Sequence, residues 1–208
     1  GYRPTVKGNP RQINQALQLI REAKQPLLYV GGGAIASGAH AEIKELAELF
    51  HLPVTTTLMG KGAFDEHHPL SVGMLGMHGT AYANFAVSEC DLLIAVGARF
   101  DDRVTGKLDE FAQRAKVIHI DIDPAEVGKN RAPDVPIVGD VRQVLLDLLR
   151  RSQETGDVVN RDRTGPWLNR IARWRQDYPL TVPHPDNAIS PQEAIAEVGN
   201  QAPDAYYT

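Results

Sequence analysis

The sequence has one cysteine, Cys90, which excludes an intramolecular disulfide and any zinc site built on cysteines. Lying just before an apolar run, Cys90 reads as a small packing residue. No block of lysines and arginines is present, and the net charge of −4 gives no basic surface for nucleic acid. No apolar run approaches the length of a membrane span and no signal peptide is visible, so the expectation is a cytoplasmic or organelle-stroma protein without a membrane partner. Internal repeats and low-complexity tracts are also missing. His67-His68-Pro69 has the residue type of a metal site, but adjacent side chains diverge and no third ligand stands at useful spacing, so no metal site is expected.

With 42% hydrophobic and 23% charged residues in 208, the composition suits one large globular domain, or one domain with extensions. The chain opens in the Pro/Gly-rich segment Gly1-Tyr2-Arg3-Pro4 and stops at Ala205-Tyr206-Tyr207-Thr208, where the pattern predicts the start of a new strand. That pattern reads as an excised domain whose function needs parts of a longer protein.

The stretch Leu75 to Lys107 joins a glycine-bearing turn, a helix, a buried strand and an arginine–aspartate loop. Gly76 and Gly79 bracket Met77 and His78, which lets the backbone approach a ligand before a helix over Thr80–Ser88. Asp91 to Val96 is a continuous apolar run bounded by Gly97, too short for a helix and too uniform for a half-exposed strand, and so reads as a buried parallel strand. Beyond its end lie Gly97, Ala98, Arg99, Phe100, Asp101, Asp102 and Arg103. Two arginines alternating with two aspartates can hold phosphate oxygens while the carboxylates orient the guanidinium groups.

The rest follows the same grammar. Residues Gly1–Asn9 read as a linker; Asn9-Pro10 caps a helix to about Ala23. Pro26–Val30 is a strand ending in Gly31-Gly32-Gly33, where GGGAIA fits the loose dinucleotide pattern, a weak signal alone. Ser37–Phe50 is a helix, and Pro53–Thr57 a strand ending in threonine where an NAD fingerprint expects an acid. Leu108–Arg114 reads as a short helix, Lys116–Ile120 as a strand ending in Asp121-Ile122-Asp123. An acid there can bind ribose hydroxyls or cap the turn into Ala125-Glu126, and one of the pair can do each job. Val135–Val138 is a further strand stopped by Gly139-Asp140, and Val141–Arg151 an amphipathic helix. The polar segment Ser152–Thr164 marks the domain boundary, dividing residues 1–152 from 153–208. Beyond it, Trp167–Tyr178 is a helix with its tryptophans on one side, and Ser190-Pro191 starts another with Glu193 three residues after the cap.

Strands and helices alternate, which implies an α/β fold: an open, mostly parallel, doubly wound sheet of about six strands with helices on both faces. Every strand end offers something a nucleotide could use, and together they suit an extended dinucleotide lying along the sheet edge.

Leu58-Met59-Gly60-Lys61-Gly62, Leu75-Gly76-Met77-His78-Gly79, Arg99 to Lys107 (RFDDRVTGK) and Ile118 to Asp123 (IHIDID) closely resemble the central domain of the acetohydroxyacid (acetolactate) synthase family. The resemblance covers nearly the whole chain. It implies a thiamine-diphosphate transferase that decarboxylates pyruvate and adds the two-carbon unit to pyruvate or 2-ketobutyrate, on the route to branched-chain amino acids. It also implies FAD held by this domain in a non-redox role, with thiamine diphosphate and Mg²⁺ held elsewhere, 2-keto acid substrates, a homo-oligomer and a regulatory small subunit. By motif, the FAD contacts would begin with Gly31, Gly32, Gly33, Thr57, Leu58 and Met59, then Leu75, Gly76, Met77 and His78. They would continue with Gly97, Ala98, Arg99, Asp101, Arg103 and Val104, then Asp121, Ile122, Asp123, Glu126, Gly139, Asp140 and Val141.

Two family features are missing. The diphosphate and metal fingerprint begins Gly-Asp-Gly, whereas Gly139-Asp140 is followed by Val141, and no glutamate-bearing amino-terminal segment is present. No catalytic residue is therefore assigned, the chain alone is expected to be inactive, and residues 153–208 are expected to lead toward a thiamine-diphosphate domain. The alternatives are the equivalent domain of a glyoxylate carboligase or oxalyl-CoA decarboxylase, which can hold FAD or an adenine nucleotide, and a non-catalytic nucleotide-binding module.

Overall fold

Strands that are apolar along their whole length must be covered on both faces, and the computed structural model shows how. It describes residues 3–107, 110–157 and 161–204, the side chains of Asp102, Arg103 and Arg161 excepted. The strands are β1 (Pro26–Val30), β2 (Val54–Thr56), β3 (Ser71–Met74), β4 (Leu92–Val96), β5 (Lys116–Asp121) and β6 (Val135–Val138). They form one sheet in the order β3-β2-β1-β4-β5-β6, and every neighbouring pair is parallel. The fold is thus the α/β open parallel sheet that the alternation predicts. Strand order reverses between β1 and β4, so a crevice opens beyond their carboxyl ends.

Every residue of β1 and β4 is buried. Alternate side chains feed two cores, as strand geometry requires. Leu28, Val30, Ile94, Val96, Ile118 and Ile120 pack under α1 (Pro10–Glu22), α3 (His40–Phe50) and α6 (Val141–Glu154). Leu27, Tyr29, Leu93, Ala95 and Val117 face α4 (Ala81–Glu89) and α7 (Arg161–Asp177). Full burial of such an aliphatic side chain is worth roughly 1.5–3 kcal/mol, against about 0–1 for an exposed ion pair, so these two cores hold the sheet.

Helix starts follow local chemistry. Asn9 Oδ1 accepts the Arg11 amide at 2.9 Å, Thr80 Oγ1 the Ala83 amide at 3.1 Å, and Asp140 Oδ1 the Gln143 amide at 3.1 Å. Several details differ from the sequence expectation. Gly32–Ala36 forms a short helix, α2, which the glycines disguise as loop, and α3 begins only at His40. The edge strand β3 is short, carries Gly73 at φ +73° and shifts register against β2, so it has little strand signature. Phe111–Arg114 is a turn rather than a helix; Leu108 and Asp109, the start of that expected helix, lie outside the described residues. So do Val158–Asn160 and the terminal residues 205–208. The stretch read as an N-terminal linker is docked: the Asp140 amide donates to Val6 O at 2.8 Å, and Gly8 sits against Ile137 and Val144. A one-turn helix, α5 (Asp102–Thr105), follows β4.

The chain divides into two compact units, Gly1–Asp177 and Tyr178–Thr208. The first takes in α7, past Ser152 where the polar segment begins. Trp167 is the reason, since its ring is buried and Nε1 donates to Pro26 O at 2.9 Å. Trp174 packs edge-on against it, with ring centroids 5.7 Å apart. Arg21 forks onto Asp157, at 2.7 Å from Nη2 to Oδ2, and ties α1 to the turn between α6 and α7. The second unit holds α8 (Pro191–Gln201), whose capping box pairs Ser190 with Glu193. Among the described residues no helix is long and apolar enough to cross a membrane.

Replacing Trp167 with alanine removes a large buried ring and strands a strand carbonyl. A loss of about 3–5 kcal/mol is expected in urea unfolding; a loss below about 1 kcal/mol would show that α7 is not part of the core.

Candidate ligand cleft

The cleft is built where two glycine loops touch. After β1, the Gly31 amide donates to Val96 O at 3.0 Å and the Gly33 amide to Gly97 O at 2.9 Å. A Cβ on Gly31 would lie 2.3 Å from Gly97 O, and one on Gly33 2.8 Å from Gly97 Cα. Gly97 itself has φ +57°, a conformation that costs a side-chain-bearing residue strain. The glycines of the apparent dinucleotide pattern are thus required by backbone-to-backbone contact at the switch point.

A third loop leans on the same place. The Thr57 amide donates to Val30 O at 2.9 Å, and Thr57 Oγ1 accepts the Gly60 amide at 2.9 Å. This single 3-10 turn leaves Leu58 and Met59 69% and 75% exposed at the rim, available to an apolar ligand surface.

Arg99 and Asp101 are carried by a loop fixed from beneath. His119 Nε2 donates to Ala98 O at 3.1 Å, and Asn130 Nδ2 donates to Phe100 O at 2.7 Å. The Phe100 ring inserts among Tyr29, Phe111 and His119, with centroids 6.0, 6.0 and 5.0 Å away. Arg99 is left exposed above this anchor. Burial lowers the His119 pKa, and the carboxylate of Asp121 offsets this only in part. The ring is therefore neutral with its proton on Nε2, and Nδ1 is buried without a partner.

At the end of β5, Asp121 Oδ1 accepts the Asp123 amide and Asp123 Oδ1 the Ala125 amide, each at 2.9 Å. Both carboxylates hold the turn and both line the cleft.

The resulting volume is about 690 Å³, within the range of small-molecule and cofactor sites. Of the residues named from the sequence, it brings together Gly31, Gly32, Gly33, Thr57, Leu58, Met59, Gly97, Ala98, Arg99, Asp101, Val104, Asp121, Asp123 and Glu126. The Arg103 side chain lies outside the described residues. Leu75, Gly76, Met77 and His78 do not line this cleft. Leu75 is buried, and Asn84 staples the turn by accepting the Gly76 amide and donating to Gly76 O, both at 3.0 Å, so Met77 projects 79% exposed. Ile122 is also outside it. Gly139 donates to Asp121 O at 2.9 Å, Asp140 caps α6 and Val141 is buried, so that segment has structural work and does not reach the cleft.

Sequence reading passed over Tyr29, whose only signal is a polar atom inside an apolar strand, and Asn84, His119 and Asn130, whose partners are remote in sequence. Among the described residues no group of three His, Cys, Asp or Glu side chains could hold a metal ion. His68 accepts the Leu70 amide at 3.2 Å through Nδ1 and meets Glu48 at 3.2 Å through Nε2. Cys90 is buried with its thiol pKa raised, first by burial, and it donates to Val87 O at 3.2 Å.

A parallel sheet with a glycine- and carboxylate-lined crevice at its switch point defines an α/β domain of the doubly wound class. Comparison with known proteins narrows the class: residues 13–148 match the family described as thiamine pyrophosphate enzyme, central domain, and the chain belongs to that family. It is 68% identical to an acetolactate synthase of Arthrospira platensis, over all of this chain and 36% of that protein. It is 57% identical to an acetolactate synthase large subunit of Cyanidium caldarium, over 99% of this chain and 35% of that one. With an acetolactate synthase of Mycobacterium avium the figures are 50%, 100% and 34%. The chain spans about a third of the length of these relatives.

The lowered His119 pKa makes stability depend on pH with a definite sign. Unfolded histidine takes up a proton near pH 6.5 while folded His119 resists it, so the stabilisation is complete above that pH. It falls as pH drops through 6.5 toward the lowered folded value, by at most about 1.4 kcal/mol per pH unit. Urea unfolding between pH 7.5 and 5.5 should show this slope, and it should flatten in His119→Gln; an equal slope in that variant would refute the assignment.

Proposed function

We propose that this chain is the FAD-holding central domain of an acetolactate synthase, and that FAD occupies the cleft at the switch point without a redox role. The observation that carries the reading is the donor set assembled there. Arg99 offers a cation for a diphosphate, Asp121 and Asp123 offer acceptors for ribose hydroxyls, and exposed Leu58 and Met59 offer apolar surface for a ring system. The orphaned Tyr29 hydroxyl on the same cleft also suits a polar ligand.

In the parent enzyme, thiamine diphosphate with Mg²⁺ supplies carbanion chemistry, and pyruvate condenses with pyruvate or 2-ketobutyrate with loss of CO₂. This chain's part is to bind and orient FAD. Residues 153–208 lead toward the domain that holds thiamine diphosphate. That several relatives are named large subunits supports a smaller regulatory partner, and a homo-oligomer in the cytoplasm or an organelle stroma fits the same reading.

Titration of the purified chain with FAD, followed by flavin fluorescence, tests the cofactor. Saturable binding that weakens about tenfold in Arg99→Ala is expected, since one charge-assisted hydrogen bond is lost from an exposed rim. Binding of ADP but not FAD would shift the reading to an adenine-nucleotide domain, and binding of neither would overturn it. The chain alone, supplied with thiamine diphosphate, Mg²⁺ and pyruvate, should form no acetolactate; turnover would refute the assignment of catalysis to other segments.

A further inference from the structure

Among the described residues few polar side-chain atoms are buried without partners, and one of them belongs to a residue that lines the cleft. Tyr29 is fully buried, its hydroxyl has no hydrogen-bond partner, and it lines the cleft beside the touching glycine loops. The other unpartnered groups near it, Thr56 Oγ1 and His119 Nδ1, belong to residues that do not line it. The strand's position explains the placement. In register, Tyr29 lies opposite Ala95 of β4, whose small side chain leaves room for the Tyr29 and Phe100 rings on that face.

A buried hydroxyl gains nothing from folding unless something bonds to it, and a phenylalanine would give the same ring packing without the penalty. We propose that the Tyr29 hydroxyl is a ligand contact, donating a hydrogen bond to a phosphate or ribose oxygen of the nucleotide bound in this cleft. Burial, and then the nearby Asp101 carboxylate, raise the phenol pKa, so the group is a neutral donor across the working pH range. Unlike Arg99, it is presented from the sheet itself with its ring immobilised, so little side-chain freedom is lost on binding. The contact rests on the nucleotide reading above and adds to it a donor at the floor of the cleft.

The test compares the full chain with Tyr29→Phe by calorimetric titration with FAD, ADP, AMP and adenosine, and by thermal unfolding without ligand. The variant is expected to bind FAD and ADP about tenfold more weakly, while its unliganded melting temperature is unchanged or higher. A loss that persists with adenosine assigns the acceptor to the ribose; a loss that needs AMP or ADP assigns it to a phosphate. Equal affinity of variant and wild type, with wild type binding normally, overturns the contact and leaves the nucleotide reading intact. A lower melting temperature with unchanged affinity would mean that the hydroxyl serves the fold through Asp101, and would also overturn it. Failure of the wild type to bind any of the four overturns both.

Discussion

The backbone contact between Gly31–Gly33 and Gly97–Ala98 is the constraint on which the rest of the molecule depends. Adjacent parallel strands at the switch point send their connections in opposite directions, so their loops ordinarily diverge. Here they are held together by amide-to-carbonyl bonds of 2.9–3.0 Å and by distances too short for any side chain. That closure continues, past the strand ends, the β1–β4 ladder that joins the two halves of the sheet, and it fixes the floor of the cleft, with Thr57–Met59 on one side and Arg99–Asp101 on the other.

Around this contact the structure divides its labour by face. The face under α1, α3 and α6 is a mainly aliphatic core, whereas the face under α4 and α7 is rich in aromatic rings and contains Tyr29, Phe100, His119 and Trp167. Tyrosine, histidine and tryptophan rings carry polar atoms, so the second face can fix a loop backbone while remaining buried. His119 does this for Ala98 and Trp167 for Pro26. The anchoring of Phe100 fixes the backbone from which the exposed Arg99 side chain extends at the cleft.

Several residues with a functional look are accounted for by structure. Asp140 caps a helix, Gly139 packs under Val144, and His68 joins a turn to Glu48. Asp121 and Asp123 do double duty, holding a turn through one oxygen each while lining the cleft. Family membership and the relatives' identities place these features in a thiamine pyrophosphate enzyme central domain.

The sequence by itself determined the alternation of strands and helices, the parallel sheet and most helix caps, because these depend on local period and on side chains reaching amides two or three residues away. It also marked the three glycine-bearing strand ends and the paired aspartates, since strand ends are local features. Only the tertiary structure decided which strand ends meet. Strand order places β1 beside β4 and brings Gly31, Thr57, Arg99 and Asp121 to one cleft, while Leu75–His78 and Gly139–Val141 fall outside it. The sequence was silent on β3, whose glycine and register shift erase its periodicity, and on Tyr29, Asn84, His119 and Asn130. Their roles come from partners that chain folding, and no local rule, brings within hydrogen-bonding or van der Waals distance.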